Sequence, residues 1–346
     1  MFRLQTLRGV SAVAINAACA SLAAAQETMP PIEIGNGEPV RSARHAPGPA
    51  QGKGDRITGY KADTASSALK MDAPIMKTPV SVQVVTRQTM DDQQAISVRD
   101  ALITNVSGVT VTPNPFDVFK IRGFSSFGST YKNGLQEYRL RNLDTANLQA
   151  IEVVKGPAAM LFGRMEPGGV INLAVKRPLE IPYYSVEQQI GSCSLTRTTL
   201  DATGPVTADK SVLYRFNGEF YRTNSFRDFV TDRNVFLAPT ITLRPVEQFR
   251  MNIDFEYQNK TWVDDWAMHP AIGGSPANIP VSRYLQPAFI TTSMRDHFEK
   301  KRIAYDFTFD FAPGWSLTNR LSYSNVSVRA NNAFDQSVDQ LTGVMT

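Results

Sequence analysis

The second half of the chain is written in period two. Phe249, Met251, Ile253, Phe255 and Tyr257 alternate with Arg250, Asn252, Asp254, Glu256 and Gln258. Ile303, Tyr305, Phe307, Phe309 and Phe311 alternate with Ala304, Asp306, Thr308 and Asp310. Trp315, Leu317, Leu321 and Tyr323 alternate in the same way with Ser316, Thr318, Arg320, Ser322 and Ser324. In extended chain this spacing makes one apolar and one polar face, and it predicts about seven strands over 183–329. A soluble sandwich alternates too, so the connections have to decide. If the strand at Tyr183 rises from the near side, near-side turns fall at 204–211, 244–248 and 312–314. The far side carries 223–233 and the long 262–300, and only 191–196 is short there. Short turns at one end and long loops at the other mark an outer-membrane β-barrel, apolar face to lipid. Trp315 and Phe249 at one rim, with Tyr221 and Trp262 at the other, are expected in aromatic girdles. Pro239 lacks a ladder donor and predicts a bulge.

The pattern before residue 179 is different. Val80 to Val85 alternates as a strand. Ser97-x-x-Asp100 reads as a capping box, with Val98, Ala101 and Leu102 on one helical face over 97–105. Strands follow near Val109 and over 119–124. The stretch 151–178, IEVVKGPAAMLFGRMEPGGVINLAVKRP, joins two apolar strands through glycine turns. Gly156, Gly163, Gly168 and Gly169 suit positive φ or close backbone approach. The segment is no phosphate loop, because the glycine spacing is wrong and Arg164 stands after Gly163. A compact α/β unit over 59–178 results.

The N-terminus sets the compartment. Arg3 and Arg8 precede a small, apolar stretch over 10–24, and Ala23-Ala24-Ala25 before Gln26 is an A-x-A site, so 1–25 reads as a secretory signal peptide. Residues 26–58 are dense in Gly, Pro and charge, the composition of a flexible linker. No later run is long and apolar enough for a helical span. The net charge of +4 is too mild to argue for nucleic acid. After cleavage Cys193 is the only cysteine, which excludes an intramolecular disulfide and a cysteine-based metal site. His45, His269 and His297 sit in no metal or nucleophile motif, so no metal, no cofactor and no enzyme activity are expected.

Several stretches occur together and in order: TPVSVQVVTRQTMDDQ, SVRDALITNVSGV, IRGF, the YKNGLQ turn and the 151–178 segment. Together they resemble the plug domain of TonB-dependent outer-membrane receptors, ferric-siderophore branch, with Asn133 where the family more often has Asp. The fold this implies is an α/β plug (59–178) followed by the first strands of an antiparallel transmembrane β-barrel (179–346). Such plugged barrels use about 22 strands, so the resemblance also implies an N-terminal portion, inactive as it stands. An open sheet in lipid would leave unpaired edge groups costing several kcal/mol each. The resemblance makes Met29, Pro30, Pro31, Ile32, Glu33 and Ile34 a TonB box that pairs as an added strand with TonB, driven by its inner-membrane complex. It implies a ferric siderophore as transported ligand, bound by plug apices at 112–119, 125–131 and 137–141 and by outer loops. Phe116, Phe127, Tyr138 and Arg139 are the expected contacts, followed by Trp262, Trp266 and His269: aromatics to pack a chelator and Arg to meet its anionic groups. Arg250, Asp254 and Glu256 would meet plug or water inside the barrel, whose outside meets lipid. A cobalamin or saccharide receptor shares the plug and remains an alternative. A general porin would not explain it.

Overall fold

The computed structural model describes residues 57–65, 73–77, 79–111, 117–137, 143–156, 162, 166–264, 271–272, 274–285 and 295–331. In the α/β unit the strands are β1 (Ser81–Thr86), β2 (Val109–Val111), β3 (Phe119–Ile121), β4 (Phe124–Ser125), β5 (Thr130–Lys132), β6 (Leu135–Gln136), β7 (Leu148–Lys155) and β8 (Gly169–Val175). The five-stranded sheet runs β6-β5-β8-β7-β1, with β8 and β5 parallel and the other neighbours antiparallel. β2, β3 and β4 form a second, three-stranded sheet. Helix α1 (Arg87–Asp92), which the pattern did not announce, starts at Thr86, whose hydroxyl accepts from the Thr89 amide. Helix α2 (Val98–Asn105) starts at the expected capping box: Ser97 and Asp100 cap each other's amides at 3.2 and 3.1 Å. Val98, Ala101 and Leu102 are fully buried in a core with Met90, Phe119, Ile151, Ile171 and Leu173.

Asn133 and Gly134 both take positive φ (50° and 78°) between the paired Lys132 and Leu135, the two-residue turn that Asn-Gly favours. The glycines behave as expected where they are described. Gly156 and Gly169 have φ of 98° and 147°, and a Cβ on Gly168 would lie 2.3 Å from the Ile121 carbonyl.

Seven strands follow in a single antiparallel sheet, in sequence order: β9 (Tyr183–Gly191), β10 (Leu195–Pro205), β11 (Val212–Asn224), β12 (Thr231–Val246), β13 (Phe249–Trp262), β14 (Asp296–Ala312) and β15 (Trp315–Arg329). Number and limits match the period-two reading. Near-side turns shrink to 206–211, 247–248 and 313–314, while the far side holds 225–230 and 263–295.

Two expectations are corrected. No bulge forms at Pro239. It pairs with Phe216 in an unbroken β11–β12 register, and on the β13 side the register is the same before and after it. The shift on that ladder falls between Leu243 and Val246 instead. Tyr221 and Trp262 do not belong to an outer girdle either. They share parity with buried Glu219 and Glu256 and face inward, whereas Trp315 at the other rim is exposed.

Candidate functional site

The inward face of the sheet is polar and buried against the α/β unit. Arg197, Arg215, Asn217, Glu219, Asn234, Asn252, Asp254, Glu256, Gln258, Lys300 and Arg302 are all less than a tenth exposed. Only one small apolar cluster, Ala146 with Phe236 and Ala238, joins plug to wall among the described residues. Inward parity on β11–β14 supplies the polar side chains, and the sheet of the α/β unit presents their partners.

The central contact is ionic. Lys132 donates to Glu256 at 2.6 Å, and Asn147 donates to the same oxygen at 3.1 Å. Glu137 pairs with Lys300. Arg302 lies between the two carboxylates, 3.6 Å from Glu137 and 3.9 Å from Glu256. Burial lowers the Lys132 pKa, although Glu256 opposes the shift. Burial pushes the Glu137 carboxyl up, but Lys300, Lys132 and Arg302 outweigh it and hold the carboxyl below its ordinary value.

A second group lies nearer the start of β9. Arg177 meets Asp254 at 3.0 Å and Asp306 at 2.5 Å. Arg215 and Lys176 converge on Asp201, each at 2.8–2.9 Å. Asn133 accepts from the Val175 amide at 3.0 Å and donates to Asp254 at 3.5 Å. A third group, toward the far end, joins Asp144 of the plug to Asn234 at 3.1 Å, and Asn234 in turn to Glu219 at 3.0 Å.

Burial pulls the Lys176 pKa from 10.5 down to about 8, against the pull of Asp201. Because the folded value is the lower one, the unfolded chain holds more protons between pH 8 and 10.5. Stability should therefore rise with pH across that window. Lys176→Met should flatten this rise in urea midpoints measured against pH; an unchanged slope in the variant would assign it to another group.

The expected ligand contacts are only partly placed. Phe127 stands 60% exposed on the 126–129 turn. Trp262 is buried, donates to Asp264 at 2.6 Å and lines a crevice of about 310 Å³ between plug and wall, with Asp117, Asp144, Tyr221 and Lys260. Burial raises the Asp117 carboxyl there. Phe116, Tyr138, Arg139, Trp266 and His269 lie outside the described residues, as does the segment Met29 to Ile34. The expected apices were drawn too wide. Phe119 is fully buried in β3, Tyr131 is buried with its hydroxyl on the Phe162 carbonyl at 3.0 Å, and Glu137 is the Lys300 partner. Sequence reasoning missed the plug-side contacts Lys132, Glu137, Asn147 and Arg177; a charge at inward parity on β13 and β14 was the available signal that partners existed.

Residues 74–170 match the model of the TonB-dependent receptor plug domain. The chain carries a TonB-dependent receptor plug joined to barrel strands. The ferrichrome outer membrane transporter/phage receptor of Escherichia coli K12 is 26% identical over 306 residues, covering 85% of this chain and 41% of that protein. The metal-pseudopaline receptor CntO of Pseudomonas aeruginosa is 30% identical over 232 residues, covering 65% of this chain and 31% of that protein. In fold the chain is similar to the pyoverdine outer membrane receptor FpvA from Pseudomonas aeruginosa PAO1 bound to pyoverdine, with a TM-score of 0.70 and 23% identity over 78% of this chain and 40% of that one. The chain thus spans less than half the length of these receptors.

Proposed function

We propose that the protein acts in TonB-dependent uptake of a ferric siderophore across the outer membrane of a Gram-negative bacterium. The observation that carries this reading is a plug held to the inner barrel wall by ion pairs instead of an apolar core. Such contacts fix a position, yet they can re-form with water or with a ligand. Residues 1–25 are cleaved on export, 26–58 hold the TonB box and tether, 59–178 are the plug and 179–346 belong to the barrel. TonB, energised by its inner-membrane complex, pairs with Met29, Pro30, Pro31, Ile32, Glu33 and Ile34 and pulls on the plug. The ferric chelate enters as cargo, contacted by Phe116, Phe127, Tyr138 and Arg139 and, as second choices, by Trp262 and Trp266. The process is binding and conformational gating without bond chemistry, and no resident cofactor takes part.

The test is equilibrium binding of a ferric hydroxamate and a ferric catecholate siderophore, read by tryptophan quenching. Tyr138→Ala with Arg139→Ala should weaken the preferred chelate by about tenfold or more, the loss of one charge-assisted contact and one aromatic face. Unchanged affinity would overturn this assignment of contacts. Iron uptake that persists in cells lacking TonB would overturn the energised mechanism. The similarity to a metal-pseudopaline receptor supports a second reading, in which the cargo is a chelate of another metal; competition among metal-loaded chelates in the same assay separates the two.

A further inference from the structure

The crevice between plug and wall at the far end holds more acid than its own cations answer. Asp100, Asp117 and Asp144 reach it from the plug, and Glu219, Asp232 and Asp264 reach it from the wall. The cations that line it are Arg99 and Lys260. Lys260 is taken by Asp232 at 2.8 Å, and Glu219 is taken by Arg197, which does not line the crevice. Asp100 and Asp144 are held by neutral donors. Ser97 gives its amide and its hydroxyl to Asp100 at 3.1 and 2.7 Å, and the Ala146 amide and Asn234 donate to Asp144 at 2.7 and 3.1 Å. Neither makes an ion pair among the described residues.

Asp117, within the 112–119 apex, is left half satisfied. It is 8% exposed, and one carboxyl oxygen takes the Leu143 amide at 2.5 Å. The other oxygen has no hydrogen bond and no ion pair among the described residues. Lys260 and Arg99 act on it only at a distance. A buried carboxylate answered on one side is costly unless a donor arrives from outside the fold. A metal ion does not fit, because among the described residues no three carboxyl or imidazole groups converge as its ligands would. An ammonium does fit. It brings three donors to separated acceptors, and its methylenes can lie against Ile96, Leu143, Tyr221 and Trp262. A volume of about 310 Å³ is at the small end of ligand sites, room for one arm of a cargo molecule.

We propose that this crevice binds an alkylammonium group, with Asp117 as its direct acceptor and Asp100 and Asp144 as the surrounding negative charge. With the uptake reading, on which this step rests, the preferred ferric chelate carries a free ammonium on a side arm that the crevice receives. Asp117 is then a specificity-determining residue. It reads the charge of the cargo's arm and not its iron centre.

The full chain is refolded into zwitterionic detergent and titrated by saturation-transfer NMR with butylammonium and with N-butylacetamide, its acetylated and uncharged counterpart. Butylammonium should bind about tenfold more tightly or better, the fold-change of one charge-assisted hydrogen bond. Asp117→Asn should erase the preference, because Asn keeps an acceptor for the Leu143 amide and loses the charge. A preference that survives in Asp117→Asn overturns the proposal. Equal binding of the two probes by the wild type overturns it without the variant, so the test stands even where the variant does not fold. These probes hold no iron, and their result is independent of the uptake reading. The cargo step is tested with a linear ferric trihydroxamate ending in a free ammonium and with the same chelate acetylated there. The ammonium form should be preferred by the wild type and not by Asp117→Asn. Equal affinities overturn the assignment of the crevice to cargo, and binding of neither chelate counts against the uptake reading as well.

Discussion

Glu256→Leu is expected to destabilise the seating of the plug by about 3–5 kcal/mol, the usual cost of removing one member of a buried ionic cluster. Glu256 answers Lys132 at 2.6 Å, Lys300 at 3.6 Å and Arg302 at 3.9 Å, and all four side chains are less than a tenth exposed. Without it, Glu137 alone faces three cations that have left water. Lys132→Met on its own should cost less, because Lys300 and Arg302 still answer Glu256. The double variant should cost less than the sum of the two by about 0.5–3 kcal/mol, the range seen for residues in direct contact. Urea midpoints with plug protection from protease give the four corners of this cycle. Additive costs would mean that the Lys132–Glu256 contact carries no coupling and that the wall holds the plug by other means.

Gly169→Ala is expected to cost about 3 kcal/mol or more, since it combines overpacking against backbone with a strained φ. A Cβ there would lie 2.2 Å from the Val154 carbonyl and 3.1 Å from the Lys155 Cα, and φ is 147°. The obstruction is the neighbouring strand β7, which also pairs with β1, so no side-chain rotation relieves it. Gly108→Ala is the control. Its φ is 70° but nothing lies within 4 Å, so only the backbone conformation is penalised, by about 1 kcal/mol. Thermal melts of both variants test this, and equal shifts would show that the close approach to Val154 is not limiting.

The barrel strands were legible because lipid and a polar interior impose opposite demands on adjacent residues. The inward and outward faces found on β13, β14 and β15 are the ones the alternation named. The Ser97–Asp100 capping box and the roles of Gly156, Gly168 and Gly169 were legible for a similar reason: each is a local rule, satisfied within a few residues. Helix α1 escaped because RQTMDD has too short an apolar period to register, and what starts it is the Thr86 hydroxyl. Pro239 misled because a ladder can skip a missing donor on one side without changing register. Trp262 was misplaced by residue type, although its even position on β13, shared with Asn252, Asp254 and Glu256, already put it inside. The wall side of the plug contact was legible, since inward Asp254 and Glu256 were expected to meet plug or water, but their plug-side partners were not. Lys132 and Glu256 are 124 positions apart, and nothing local records which wall charge a plug charge will meet.

The division of labour between an apolar plug core and a polar seat has a calorimetric consequence. The large hydrophobic cluster lies wholly within 85–175, and the seat is built of carboxylates, amides, guanidinium groups and amines. Sliding the plug off the wall as an intact body would hydrate mainly polar surface, so its heat-capacity change would be small or negative. Unravelling the plug would expose the cluster around Phe119, Ile151 and Ile171, with a large positive heat-capacity increment. The two ways of parting the plug from the wall, displacement and unfolding, therefore differ in the sign or size of one thermodynamic quantity, even where their free energies are alike.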